Sequence, residues 1–371
     1  MKRPRVQRYE RYAFEASPWV QDLTQSEVAD LLGTTKTRLE TLVRNKEEWI
    51  RRQTKMIGRK ERNLALPTGK LRAVHERLKY HFNKVKQPDY LFSPRKGRGQ
   101  RDNAAHHAGQ SQFLTLDIKQ FYPSTTGGHI FRWLHHEAGL REDVAGLLVR
   151  LIAIDDRLPL GSPLSPVLST LIHRHMFDEI HALCQASDLR MSVWVDDMNI
   201  SGEQIRGKLL EEIRGIVRQN GLRSHKVWFR GGGRPVSITG VPVDGMRVVA
   251  PRELHARVEA GYAGLRACRT DADRMCATDL LLSALGTYRY HLGASTPEGR
   301  TTSNRMHALR QRRARLNPST IIPATSTPDE NATMRHPASQ GDLPWDVDPP
   351  RLGTPGGTLG PPPSAVPLIA S

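Results

Sequence analysis

Residues 190–202 read RMSVWVDDMNISG. An apolar run climbs to the adjacent Asp196 and Asp197 and falls away into Met198, Asn199 and Ile200. Val193, Val195 and Ile200 favour extended backbone and the polar pair interrupts them, so the pattern predicts a tight β-hairpin with both aspartates at or beside its turn. Two carboxylates so placed repel each other unless a cation lies between them. A hard divalent ion with oxygen ligands, most simply Mg²⁺, answers that repulsion. A solvated acidic turn is the alternative, and the rest of the chain has to decide between the two.

Upstream, residues 112–118 (QFLTLDI) read as a buried strand ending in Asp117, closed by Phe121-Tyr122-Pro123-Ser124. Beside the hairpin in a small antiparallel sheet, this strand would bring three carboxylates to one sheet end. That is enough to hold two divalent ions roughly 3.5–4 Å apart, an arrangement suited to in-line phosphoryl transfer.

The bulk composition narrows the class of partner. The chain has 371 residues, room for one large domain or two to three modest ones. Hydrophobic content is 38% and mean hydropathy −0.52, and no apolar run is long enough for a bilayer span, so a soluble protein with no membrane partner is expected. The basic opening MKRPRVQRYERY leads into no signal-peptide core. Cys184, Cys268 and Cys276 lack metal-ligand spacing and suit a reducing, cytoplasmic setting. A net charge of +17 and a pI near 10.2 point to nucleic acid. The segment 317–371 is slightly acidic, holds about half of the prolines and has few aromatics. It is expected to be disordered.

Along the chain, Thr24-Gln25-Ser26-Glu27 is a capping box, followed by a helix through Leu32 and a stop at Gly33. A second helix over 35–49 places Leu39, Leu42 and Val43 on one face. The pair reads as a helix-turn-helix or as a packing element. Residues 51–62 form a cationic run, 63–67 a strand ended by Pro67, 71–82 an amphipathic helix, and 90–99 a basic loop. Residues 128–154 read as largely helical, 158–165 as a loop entering a helix through His181, and 203–219 as a helix. Segments 221–229 and 234–243 read as strands joined by three glycines, and 251–316 as helical and basic.

Three stretches in order, LDIKQFYPS (116–124), LPLGSPLSPVLS (158–169) and VWVDDM (193–198), resemble the core motifs of reverse transcriptases. NGLRSHK (220–226) resembles the lysine-bearing motif that follows them, and the resemblance spans about residues 23–316. Asn103-Ala104-Ala105-His106-His107 is similar to the Asn-Ala-x-x-His signature of the retron branch, with His107 in register. Ile238-Thr239-Gly240 is similar to that branch's Val-Thr-Gly, with Ile in place of Val. The opening helices and the lack of a fused nuclease or maturase region in this chain also suit a retron enzyme.

The resemblance implies an α+β right-hand polymerase with a basic lead-in (1–23), fingers and palm (24–245), a helical thumb (246–316) and the disordered tail (317–371). It implies that Asp117, Asp196 and Asp197, with the Ile118 carbonyl, ligate two Mg²⁺ ions, Mn²⁺ being the alternative. Tyr122 would be the steric gate against a ribose 2′-hydroxyl, with a core tyrosine as the alternative. Arg62 and the weaker candidate Lys60 would meet the triphosphate, a task suited to a guanidinium fork. Gly161, Ser162 and Pro163 would support nucleotide and template. Lys226 would protonate the leaving pyrophosphate or be a plain surface lysine. Asn103, His107, Thr239 and Gly240 would recognise RNA.

Trp194 in place of the usual tyrosine and Leu160 in place of the usual glutamine depart from the family pattern without touching the metal ligands. They leave primer grip, dNTP selection and fidelity in doubt. The implied activity is RNA-directed DNA synthesis from dNTPs. Its template and primer would be a structured noncoding RNA, primed from an internal guanosine 2′-hydroxyl, giving a branched RNA–DNA hybrid (msDNA). Such systems serve in antiphage defence with a separate effector protein. The alternatives are a diversity-generating, CRISPR-linked or abortive-infection reverse transcriptase, or a non-catalytic basic RNA-binding scaffold.

Overall fold

A computed structural model describes residues 11–58, 60–231 and 233–316. The first ten residues of the lead-in and the tail 317–371, expected to be disordered, lie outside the described residues.

Helix formation begins at the capping box. The Glu27 amide donates to Thr24 Oγ1, and Glu27 Oε2 accepts from the Thr24 amide at 2.7 Å, opening α1 (Gln25–Leu31). Gly33 then turns left-handed at φ 71°. α2 (Lys36–Arg44) stops at Asn45 instead of running on to Trp49; a separate 3₁₀ turn, Lys46–Trp49, follows. Leu39 and Leu42 sit in one buried cluster with Trp19, Leu78, Phe82 and Leu148, so the two helices are a packing element.

The cationic run at 51–62 is extended backbone. It lies in an antiparallel hairpin of β1 (Ile50–Ile57) and β2 (Lys60–Pro67), whose distal half exposes both faces and so lacks an apolar alternation. Next come α3 (Gly69–Phe82), a short β3 (Leu91–Ser93) inside the expected loop, α4 (Gln100–His106) and β4 (Gln112–Ile118). α5 (Phe121–Ser124), α6 (Gly127–Arg132) with a π turn at Trp133–Glu137, and α7 (Glu142–Ile152) follow. The next helix breaks at His173 into α8 (Ser165–Ile172) and α9 (Arg174–Gln185). The central hairpin is β5 (Arg190–Trp194) and β6 (Asp197–Gly202). α10 (Leu209–Gln219) starts six residues later than expected, and β7 (Ser224–Gly231) follows it. The second expected strand is itself a hairpin, β8 (Val236–Ile238) and β9 (Val241–Asp244), to which β10 (Arg247–Val248) adds. α11 (Arg252–Ala267), α12 (Asp271–Leu292) and α13 (Pro297–Leu316) close the described chain.

The architecture is α+β. A five-stranded sheet runs β3-β5-β6-β4-β7, antiparallel except where β3 pairs with β5. Leu114, Leu116 and Ile118 of β4 are buried with Met176 and Phe177 of α9 and Ile213 and Val217 of α10. The alternate residues Phe113, Thr115 and Asp117 occupy the opposite face. Phe113 packs there with Val236, Ile238, Val241 and Val243 of the small hairpin. α11–α13 make their own cluster around Leu281, Leu285, Met306 and Leu309. No described helix is long and apolar enough to cross a membrane.

Three histidines buried in this framework make it acid-sensitive. Burial pushes His75 down to about 4, and His107 and His173 down to about 3, from an ordinary value of 6.5. Below pH 6.5 the unfolded chain takes up protons that the folded chain refuses, so stability is full above that pH and falls as the pH drops towards 4. Each ring contributes a slope of about 1.4 kcal/mol per pH unit in that window. Thermal melting across a pH series should show the loss starting below about pH 6.5. Asp196 and Asp197, pushed up to about 6, work in the opposite sense below that pH, so the deciding result is a melting temperature flat down to about pH 5 in Asp196→Asn/Asp197→Asn, which would mean these rings are not held neutral in the fold.

Candidate active site

The fold brings the three aspartates to one end of the sheet. Asp117, the penultimate residue of β4, lies opposite Asp197, the first residue of β6. Asp196 sits in the turn between β5 and β6, and its carbonyl accepts from the Ile118 amide at 2.9 Å. The turn is tight because Val195 is left-handed at φ 61°, an outlier for a β-branched residue. The Val195 amide donates to the Ser93 carbonyl at 3.0 Å, which ties the strained tip to β3. Gln120, Asp155 and Lys226 around the same cleft are also left-handed, at φ 50°, 52° and 50°. Strain of this kind persists only where surrounding structure imposes it, and it gathers at functional sites.

The electrostatics are those of crowded carboxylates. Burial, reinforced by Asp117, pushes both Asp196 and Asp197 up to about 6, and Asp197 adds to the effect on Asp196. Asp117 Oδ2 is paired with the Lys226 ammonium, and His225 Nε2 stands 3.7 Å from the same oxygen. The hydrogen bond to Asp117 in turn holds Lys226 protonated above its ordinary range. Asp117 Oδ1 is buried without a hydrogen-bond partner among the described residues.

These residues open on a cavity of about 580 Å³. Its lining includes Lys60, Arg62 and Asn63 of β2, Asp117, Tyr122 and Asp196, and Arg157 and Lys226. A phosphate-bearing ligand there would meet cations from three segments of the chain, β2, the loop at Arg157 and β7. Tyr122 is held from below: Phe121 packs against His173 with ring centroids 5.4 Å apart, and Thr125 Oγ1, 2.9 Å from His173 Nε2, donates to the Phe121 carbonyl. Burial and the nearby Asp196 raise the Tyr122 phenol, so its ring meets the cavity neutral.

The hairpin β1–β2 is fixed over the cavity by two links. Arg52 bridges Glu47 at 2.7 Å and Asp155 at 2.9 Å, and the Ala65 amide donates to the Leu160 carbonyl at 3.0 Å. Gly161, at φ 119°, lets β2 come close: a Cβ there would lie 3.1 Å from Leu66 Cγ. Pro159 and Leu160 line the cavity, whereas Gly161, Ser162 and Pro163 are not among its described lining residues. The Ser162 hydroxyl is committed inwards. His75 Nε2 lies 3.0 Å from the Leu151 carbonyl and must carry the proton there, so His75 Nδ1 accepts from Ser162 at 2.6 Å. Ser162 Oγ then accepts from the Leu164 amide at 3.1 Å. Ser162 therefore shapes the loop and does not present its hydroxyl to a nucleotide. His75 escaped sequence reasoning, although a histidine on the apolar stripe Leu71–Val74–Leu78 was a signal.

The structure places Asn103 and His107, expected to recognise RNA, inside the fold. Both are fully buried. His107 lies between Ser201 Oγ at 2.6 Å and Ser192 Oγ at 2.7 Å, on β6 and β5. Asn103 Nδ2 donates to Thr239 Oγ1 at 3.2 Å. Asn103 Oδ1 has no partner among the described residues but is buried, so neither side chain reaches the surface in this structure, and the pair ties α4 and the β8–β9 turn to the sheet. Thr239 and Gly240 make that turn with left-handed backbones, φ 46° and 83°, and only Gly240 is fully exposed.

Among the described residues no group of three or more His, Cys, Asp or Glu side chains is gathered tightly enough to hold a metal ion. The donor chemistry nevertheless fits a divalent cation: three carboxylates, two with raised affinity for protons, and the orphaned Asp117 Oδ1. The Lys226 ammonium stands where positive charge is called for.

Residues 55–229 match the family model described as reverse transcriptase (RNA-dependent DNA polymerase). The retron Se72 reverse transcriptase of Salmonella heidelberg (strain 579083-10) is 24% identical over 197 residues, 51% of this chain and 52% of its own length. The retron Ec86 reverse transcriptase of Escherichia coli is 25% identical over 163 residues, 43% and 51% of the two chains. The retron Mx65 reverse transcriptase of Myxococcus xanthus is 27% identical over 174 residues, 40% of each. The matches thus span about half of these curated relatives or less. Among solved structures, a telomerase from Candida albicans has a TM-score of 0.41 at 10% identity, covering 72% of this chain and 61% of its own. A foamy viral protease-reverse transcriptase has a TM-score of 0.40 at 16% identity, covering 84% and 46%.

Proposed function

We propose that this chain, which carries a reverse transcriptase domain of the retron type, is an RNA-directed DNA polymerase acting on a structured noncoding RNA. The observation that carries the reading is the meeting of Asp117, Asp196 and Asp197 at one sheet end, where Asp117 and Asp196 line one cavity with Tyr122, Lys60 and Arg62. Residues 24–245 serve as fingers and palm, and 246–316 as the thumb. The reaction takes place in the cytoplasm.

Asp117, Asp196 and Asp197 would hold two divalent ions, with the Ile118 carbonyl assisting. Such ions supply activation of the attacking hydroxyl and stabilisation of the leaving oxygen. Arg62 and Lys60, on the hairpin fixed by Arg52, neutralise the triphosphate of an incoming dNTP. Tyr122 closes the sugar side of the pocket. Lys226 holds its proton beside Asp117 and would be the group placed to protonate the leaving pyrophosphate. The product is a branched RNA–DNA hybrid used with a separate effector in antiphage defence.

The test is to purify the chain from its native host, sequence the nucleic acid that comes with it, and supply dNTPs and Mg²⁺. One enriched structured RNA, extended into DNA, is the expected outcome. Recovery of RNAs in proportion to their abundance, with no synthesis, would leave only a basic binding scaffold.

A further inference from the structure

Among the described residues β7 is a free edge of the five-stranded sheet, and it carries two large aromatic side chains, Trp228 and Phe229, each 57% exposed. Pairing with β4 assigns their faces. Trp228 lies opposite Thr115 and Arg230 opposite Phe113, on the face that bears Asp117. Phe229 lies opposite Leu114, on the face covered by α9 and α10. The Arg230 guanidinium stands over the Trp228 ring, 5.5 Å from its centroid.

The segment that carries this pair has charge of one sign. Residues 221–243 contain Arg223, Lys226, Arg230 and Arg234 and no Asp or Glu. Guarding an edge strand against pairing with another strand needs charge, which Arg230 supplies, but it does not need an exposed indole. An indole beside a guanidinium on an acid-free strand is what a nucleic-acid base and its phosphate require.

We propose that Trp228 and Arg230 form a stacking platform for unpaired nucleotides of a bound RNA, beside the catalytic carboxylates. The proposal rests on the reading that the cleft takes nucleic acid. Thr115, opposite Trp228, is two residues from Asp117 on the same face, about 7 Å along the strand. The platform thus adjoins the reacting end. The nucleotides it takes are unpaired ones, because a base inside a helix already has both faces stacked, whereas a free base offers one to the indole. Arg230 then meets the adjoining phosphate.

The test uses the full chain and two labelled probes, a short single-stranded RNA and a fully paired hairpin RNA, followed by fluorescence anisotropy. Trp228→Ala should weaken binding of the single strand about tenfold and of the paired probe less than about twofold. Trp228→Phe should keep the affinity but lose the RNA-induced quenching of tryptophan emission, and Phe229→Ala, on the other face, should bind as wild type. Unchanged single-strand binding in Trp228→Ala would overturn the proposal. So would equal loss on both probes with a lowered melting temperature, or equal loss in Phe229→Ala, which would indicate a structural edge. Primer extension on the same preparations keeps the two readings apart. Absent synthesis with the Trp228 dependence intact would remove the polymerase and still support the platform.

Discussion

Asp196→Asn is expected to leave the chain folded and RNA-bound while DNA synthesis falls by at least two to three orders of magnitude. The substitution keeps the side-chain volume and removes one of three charges that the sheet end gathers. It should also stabilise the protein in chelator at neutral pH. Burial, Asp117 and Asp197 make ionised Asp196 costly, which is why its acidity is pushed up to about 6. An amide has no such cost, so the metal-free melting temperature should rise by a few degrees. Together the two readouts separate a ligand from a structural residue: a structural aspartate would lose activity and stability in step. Single-nucleotide incorporation within tenfold of wild type would sink the assignment.

The same crowding explains why this part of the molecule was legible in the sequence. A buried strand that ends in an aspartate, and an apolar hairpin broken by two more, are local conflicts between burial and charge. Both were read with nearly correct bounds, as β4 and as β5–β6. The capping box at Thr24–Glu27 was legible because its signal and its hydrogen bonds lie within four residues. The hairpin β1–β2 was not: at its distal end both faces meet solvent, so residues 51–62 look like any solvated charge run. The three-residue β3 carries no period at all.

Other features depend on partners far away in the chain. Whether Ser162 faces a nucleotide or His75 is decided 87 residues upstream, and whether His107 faces RNA or the sheet is decided by Ser192 and Ser201. Motif resemblance finds such residues and their importance, but their direction is a property of the packing. In both cases the packing turned a presumed contact into a support: Ser162 braces the loop that β2 rests on, and His107 braces the hairpin that carries the aspartates. The residues left to line the cavity include the cations of β2 and, beside Phe121, the aromatic Tyr122.

Tyr122→Val should therefore open the pocket to ribonucleotides. Tyr122 stands five residues after Asp117 and lines the cavity beside Asp196, and its ring is braced through Phe121, Thr125 and His173. A braced ring cannot yield to an added hydroxyl, whereas valine leaves room for one. Incorporation of rCTP relative to dCTP on an RNA template should rise about 10- to 100-fold. Some stability is lost as well, since Tyr122 is partly buried against both main clusters, at a cost of about 1–3 kcal/mol. Phe121→Val supplies the control. Phe121 is buried at 2% exposure in the core below, so its truncation should destabilise the protein at least as much. Phe121 touches the cavity wall but is almost wholly buried, its ring 6.0 Å from that of Tyr122, so any change in sugar selectivity there should come mainly through the loosened support and be the smaller. An unchanged ratio in Tyr122→Val, or the same shift in both variants, would mean that the ring is a packing residue and that selection against the 2′-hydroxyl lies elsewhere in the cleft.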